Sequence, residues 1–187
     1  ADERTCGKNA ECNVTQLQSL ENMTVKENVK KILSLLESRS LDEIRVGWQL
    51  CAGGGTELFD ALWEKLSKPF KMVSIGTVQV PQFDRDSDNT SLPGVDDYWR
   101  SIAMLGFLNA APAGSRACMV REAYTEITVT GLVWLNQYTR QLKYDAVYLS
   151  ELSNFTNLKA LTVKDANGLH GLTDIYALPI ETLNLCF

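Results

Sequence analysis

The chain has 187 residues, 45% of them hydrophobic, which suffices for one sizeable core and leaves too little length for two comfortable domains. Its net charge of −5 comes from interspersed acids and bases, which excludes the basic footprint of a nucleic-acid binder and a basic membrane-binding face. No apolar run approaches the about 18 residues that a spanning helix needs.

Residues 1–40 are expected to form a Cys-containing N-terminal cap followed by an amphipathic helix. The opening "ADERTCGKNAEC" reads as a mature N-terminus from which a secretory signal has been removed. Thr24 and Glu27 stand in capping-box spacing, and Val25, Val29, Ile32, Leu33 and Leu36 then share one helical face. In "SLDEIRVGWQLC", Ile44, Val46 and Trp48 alternate with Glu43, Arg45 and Gly47, which predicts a half-buried strand. "AGGG" breaks it, Thr56 can cap a second helix, and Leu58, Phe59, Leu62, Trp63 and Leu66 form that helix's stripe. Pro69 ends it, and "FKMVSIGTVQV" reads as another strand. Strand, helix and strand in succession predict parallel pairing through a right-handed crossover.

Leu41, Ile44 and Val46 map onto Phe70, Val73 and Ile75 with a shift of 29 residues. The same frame recurs at Tyr124/Ile127/Val129, Tyr144/Val147/Leu149, Leu158/Leu161/Val163 and Ile180/Leu183/Leu185, with irregular shifts of 20, 14 and 22. A spacer between the second and third sets carries a polar loop over about 79–97 and a helix from about Tyr98 to Ala110, striped by Trp99, Ile102, Leu105 and Leu108.

The frame, the shift of 29 and the segment "LHGLTDIYALPIETLNL" resemble the leucine-rich repeat family over roughly residues 41–187. The family's usual Asn or Cys three residues after the last apolar strand position is replaced here by Gln49, Val78, Leu132, Leu152 and Ala166. The resemblance implies an α/β solenoid: a curved stack with a parallel sheet on its concave side and a helical or irregular convex side. The alternative is an ordinary compact α/β or α+β domain. In the solenoid, the residues between the apolar frame positions would line the concave face, and the binding candidates are Arg45, Trp48, Thr128, Thr130, Tyr148, Ser150, Thr162 and Lys164. Such a face is mostly neutral and hydroxyl-rich, suited to a protein or glycan ligand.

Four Asn-x-Ser/Thr sequons, at Asn13, Asn22, Asn89 and Asn154, point to a glycosylated extracellular chain, secreted or anchored at the cell surface. Of five cysteines, Cys6, Cys12, Cys51 and Cys118 are the disulfide candidates with their connectivity open, and Cys186 is the unpaired or interchain candidate. None stands in the C-x-x-C spacing of a metal or redox site. Asp84, Asp86 and Asp88 alternate like calcium ligands, but Asn89 and Val95 occupy the places of the required Gly and Glu, so a solvated acidic loop is expected. His170 has no nucleophile frame beside it, and "CAGGGTE" lacks the Lys of a phosphate loop. The reading is therefore a non-enzymatic extracellular binding module without metal or cofactor, which engages a macromolecular partner through the concave sheet face or the inserted loop at about 79–97. A structural surface glycoprotein forming a homodimer is the alternative, and a small secreted hydrolase is the least favoured.

Overall fold

The computed structural model describes residues 25–83, 95–130, 133–135, 142–144, 147–164 and 169–186. In the first two thirds of the chain, apolar residues recur at spacings of three and four, and five α-helices form among the described residues: α1 (Val25–Leu36), α2 (Leu41–Ala52), α3 (Gly55–Leu66), α4 (Val95–Asn109) and α5 (Arg116–Ala123). A hairpin of β1 (Met72–Ile75) and β2 (Val78–Pro81) falls between α3 and α4.

α1, α3 and α4 stand where the stripes predict them, with α4 starting three residues earlier than expected. The predicted strand over 41–48 is instead helix α2. Leu41, Ile44, Trp48 and Cys51 are spaced three, four and three apart, so a helix aligns them on one side, and Ile44, Trp48, Leu50 and Cys51 are buried. Asp42 and Glu43 in its first turn suit the positive end of the helix dipole. Short alternation through Ile44, Val46 and Trp48 fits a strand equally well locally, and the packing partners decide between them.

The predicted single strand over 70–80 is also corrected. Gly76 takes φ +58°, a left-handed conformation that reverses the chain, and β1 pairs antiparallel with β2 in the register Val73↔Val80 and Ile75↔Val78. With a helix at one end and a hairpin at the other, the parallel crossover is absent and the shift of 29 relates two unlike elements.

The later strands keep their predicted frame. β3 (Glu126–Thr130), β7 (Ala160–Lys164) and β9 (Thr182–Cys186) form a parallel sheet in the order β3-β7-β9. Its register aligns Ile127 with Leu161 and Leu183, and Val129 with Val163 and Leu185. These frame residues point into the core on β3 and β7, where Leu161 and Val163 are 0% exposed. Between β3 and β7 in sequence lie an antiparallel hairpin, β4 (Val133–Leu135) with β5 (Leu142–Tyr144), then β6 (Val147–Tyr148) and a 3₁₀ turn at Leu149–Leu152. After β7, β8 (Leu169–His170) pairs parallel with β6, and a second 3₁₀ turn at Leu172–Ile175 packs on the first. The Tyr144/Val147/Leu149 frame is thus outside the three-stranded sheet.

One core joins helices and sheet. α4 is buried along most of its length, with α2, α5 and the first 3₁₀ turn packed on it. Phe59 on α3 stacks on Phe107 of α4 at 4.8 Å between ring centroids. Tyr124, just before β3, lies 5.9 Å from both Phe83 and Phe155 and donates its hydroxyl to the Pro81 carbonyl at 2.5 Å, linking hairpin, sheet and turn.

α2 and α4 cross at Gly106, where a side-chain methyl would overlap the Trp48 indole, while Trp48 Nε1 donates to the Ala103 carbonyl at 3.0 Å. Gly106→Ala is expected to lower unfolding free energy by about 1–3 kcal/mol through overpacking. In a Trp48→Ala background, where the indole is gone, the same change should cost much less. Urea denaturation of the four proteins of this double-mutant cycle measures the coupling.

Candidate functional site

Alternation places the residues between the buried frame positions on the opposite, outer face of the parallel sheet. Parallel register stacks them in three rows: Glu126, Ala160 and Thr182; Thr128, Thr162 and Asn184; Thr130, Lys164 and Cys186. Thr128, Thr162 and Lys164 are half-buried, Thr182 and Asn184 exposed. Asn184 Nδ2 donates to Thr162 Oγ1 at 3.4 Å, so the middle row is a ladder of hydroxyl and amide groups. Below it, Lys159 and Glu181 pair at 3.2 Å across the strand entrances, and both are well exposed, which makes this pair a weak contributor to stability. The face can donate and accept hydrogen bonds over three strands and carries little net charge.

Of the eight predicted binding residues, Thr128, Thr162 and Lys164 come together here, and Thr130 stands beside Lys164 in register. The other four do not. Arg45 lies on α2, exposed, with its guanidinium 4.0 Å from Glu151 in the first 3₁₀ turn. Trp48 is a core residue, 8% exposed, locked against α4. Both follow from the predicted strand over 41–48, and the helix that forms there removes them from the sheet. Tyr148 belongs to β6, where its backbone pairs with His170, and Ser150 to the 3₁₀ turn, both apart from the β3-β7-β9 face. Asn184 completes the ladder, and its place between Leu183 and Leu185 was the signal for it.

Asn154 is exposed on the turn after the first 3₁₀ segment and is held there by Asn109 at the end of α4. Its backbone N–H donates to Asn109 Oδ1 at 2.7 Å and its Nδ2 to the Asn109 carbonyl at 2.8 Å. Asn109 Nδ2 in turn donates to Ser153 Oγ at 3.1 Å. An Asn-linked sugar leaves one N–H on Nδ2, so exposure and this hydrogen bond are compatible with modification. Asn13, Asn22, Asn89, Cys6, Cys12 and the Asp84–Asp88 alternation lie outside the described residues.

Cys51 and Cys118, expected among the disulfide candidates, are buried free thiols, and Cys186 is a free, exposed one on β9. Cys118 Sγ donates to Glu122 Oε1 at 3.2 Å and accepts from Arg121 at 3.2 Å. Its titration is shifted upward by burial first and by Glu122 next, with Arg121 opposing. Neither buried thiol has the depressed titration of a reactive thiolate. Among the described residues, no three His, Cys, Asp or Glu side chains converge as metal ligands, and no helix is long and apolar enough to cross a membrane. Within the "CAGGG" run Cys51 and Ala52 end α2, Gly53 and Gly54 turn the chain, and Gly55 opens α3, so the run is not the exit from a strand.

No protein-family model, curated protein or solved structure matches the chain. Its candidate site therefore rests on the geometry of its own residues.

Burial pushes the Cys51 thiol from its ordinary 9.0 up to about 12. Between those values the unfolded chain loses this proton and the folded chain keeps it, so stability is intact below about pH 9 and falls as pH rises toward about 12. Cys51→Ala should flatten that alkaline decline. Urea midpoints of both proteins at neutral and alkaline pH measure it.

Proposed function

We propose that this chain is a leucine-rich-repeat-like binding module of an extracellular glycoprotein, and that its outer sheet face engages a protein or glycan. The observation that carries the reading is one shared advance: β6 to β8 and β7 to β9 both pair with an offset of 22 residues. Equal offsets in two separate strand pairs are what successive coils of one stack produce. The 3₁₀ turns at Leu149–Leu152 and Leu172–Ile175 follow with an offset of 23 and pack on each other. From β3 to β7 the offset is 34, and the β4–β5 hairpin supplies the additional length. The solenoid on this reading is short and capped at one end by the helical layer, which covers the core that the first coil would otherwise expose.

The Thr128–Thr162–Asn184 ladder supports a ligand read by hydrogen bonds, and exposed Asn154 supports an extracellular setting. Purified chain, displayed to arrays of extracellular proteins and glycans, should capture a partner that Asn184→Arg and Lys164→Glu each weaken about tenfold or more. For Asn184→Arg, stability should change by no more than about 0.5 kcal/mol, since Asn184 is exposed. Arg45→Gln, on α2, should leave binding unchanged. Equal binding by all four proteins would remove the sheet face from consideration.

A second reading, a structural glycoprotein that pairs with a sister chain, is favoured by β9. Leu183 and Leu185, aligned with fully buried residues of β7, are each 42% exposed. Edge strands of this kind pair with other chains. Light scattering after size exclusion should then report a dimer that Leu185→Lys returns to monomer; a monomeric wild type would exclude this reading.

A further inference from the structure

Away from the sheet, the turn after α1 and the second turn of α4 border a partly open cavity of about 440 Å³, lined by Leu36, Glu37, Ser38, Arg39, Trp99 and Arg100. Its volume lies within the about 300–1,000 Å³ of small-molecule sites. The walls are held in shape before any ligand arrives. Ser38 Oγ donates to Glu43 and accepts from the Ser40 N–H at 3.1 Å, and the Ser38 N–H donates to the Leu35 carbonyl at 3.2 Å, which fixes the turn. Tyr98 meets the Trp99 indole edge-on, 5.1 Å between centroids at 75°, which fixes the ring plane. Leu36 is 1% exposed and belongs to the core, so the floor is rigid.

Two guanidinium groups from separate elements, one half-buried indole, one carboxylate and an apolar floor form a mixed set. Arg39 and Arg100 also make other polar or electrostatic contacts, and a guanidinium's five N–H donors leave room for an anion beside them. The planar guanidinium forks match the paired oxygens of a carboxylate. Glu37 accepts hydrogen bonds only, so it favours a ligand that carries hydroxyl donors beside its anionic group. An indole face suits the C–H face of a sugar ring. Together these requirements describe a carboxylated sugar.

We propose that the cavity between the α1–α2 turn and α4 is a binding site for a carboxylated sugar, its carboxylate held by Arg39 and Arg100, its ring against Trp99 and its hydroxyls toward Glu37. The site is independent of the outer sheet face and stands whether or not that face binds a partner. The carboxylate can come from an internal hexuronic acid or from a terminal nine-carbon acidic sugar.

The test titrates purified ¹⁵N-labelled chain with D-glucuronic acid, N-acetylneuraminic acid and neutral D-glucose. The readout is the Trp99 indole N–H signal, identified by its loss in Trp99→Phe. At least one acid should shift that signal with millimolar affinity, with D-glucose about tenfold weaker because it lacks the charge-assisted pair. Arg39→Gln and Arg100→Gln should each weaken the acid about tenfold, and both sit exposed, so folding should survive. A response to glucuronate alone assigns the internal sugar, and a response to N-acetylneuraminate alone the terminal one. No shift with either acid, equal response to glucose, or unchanged affinity in both Arg variants overturns the proposal. The glucose comparison is made in the unmodified protein and decides the matter even if a variant fails to fold.

Discussion

The fold depends on one close crossing. Because Gly106 has no side chain, α4 can press its backbone against the Trp48 indole, and the indole N–H then meets the Ala103 carbonyl within the same helix. Burying an indole in this way removes a large apolar area from water while leaving its one polar atom satisfied. The contact joins positions more than fifty residues apart and sets the distance between α2 and α4. Once α4 is placed, α3 reaches it through the Phe59–Phe107 stack, and the first 3₁₀ turn packs on it as well.

The C-terminal end of α4 is where the helical layer hands over to the sheet. A helix ends with carbonyls that have no partner within it. Arg121 of α5 donates to the carbonyls of Leu108, Asn109 and Ala111, at 3.3, 3.2 and 2.9 Å. Asn154 donates to the Asn109 carbonyl as well, from the turn that leads into β7. One charged side chain and one amide thereby tie the end of α4 to the next helix and to the sheet, and the cation suits the negative end of the dipole. The candidate sheet face and the candidate sugar cavity, though built from different elements, both hang on α4: the first through this tie, the second through Trp99 and Arg100.

Legibility in the sequence followed the strength of local periodicity. The stripes of α1, α3 and α4 repeat over three or more turns, and no strand could bury them together. β3, β7 and β9 were readable for a different reason: each combines β-branched residues with clean alternation, and their frames match in register. The site was half readable on the same ground, since Thr128, Thr130, Thr162 and Lys164 follow from those strands while Arg45 and Trp48 followed from a strand that does not form. The cavity had no sequence signal at all, because Arg39 and Trp99 carry no spacing that relates them.

By itself the sequence determined the apolar stripes, the alternating strands, the turn residues and a net charge of −5. These are local properties, decided by residues within a few positions of one another. Tertiary structure alone decided that 41–52 is a helix, that 72–81 folds back on itself, and which frames share a sheet. The segment around Ile44 satisfies both a helical and an extended pattern, and the choice falls to the partner that buries it: an aromatic ring needs a gap, and the gap at Gly106 lies on another helix. Local sequence encodes which faces must be covered, and only the assembled chain determines what covers them.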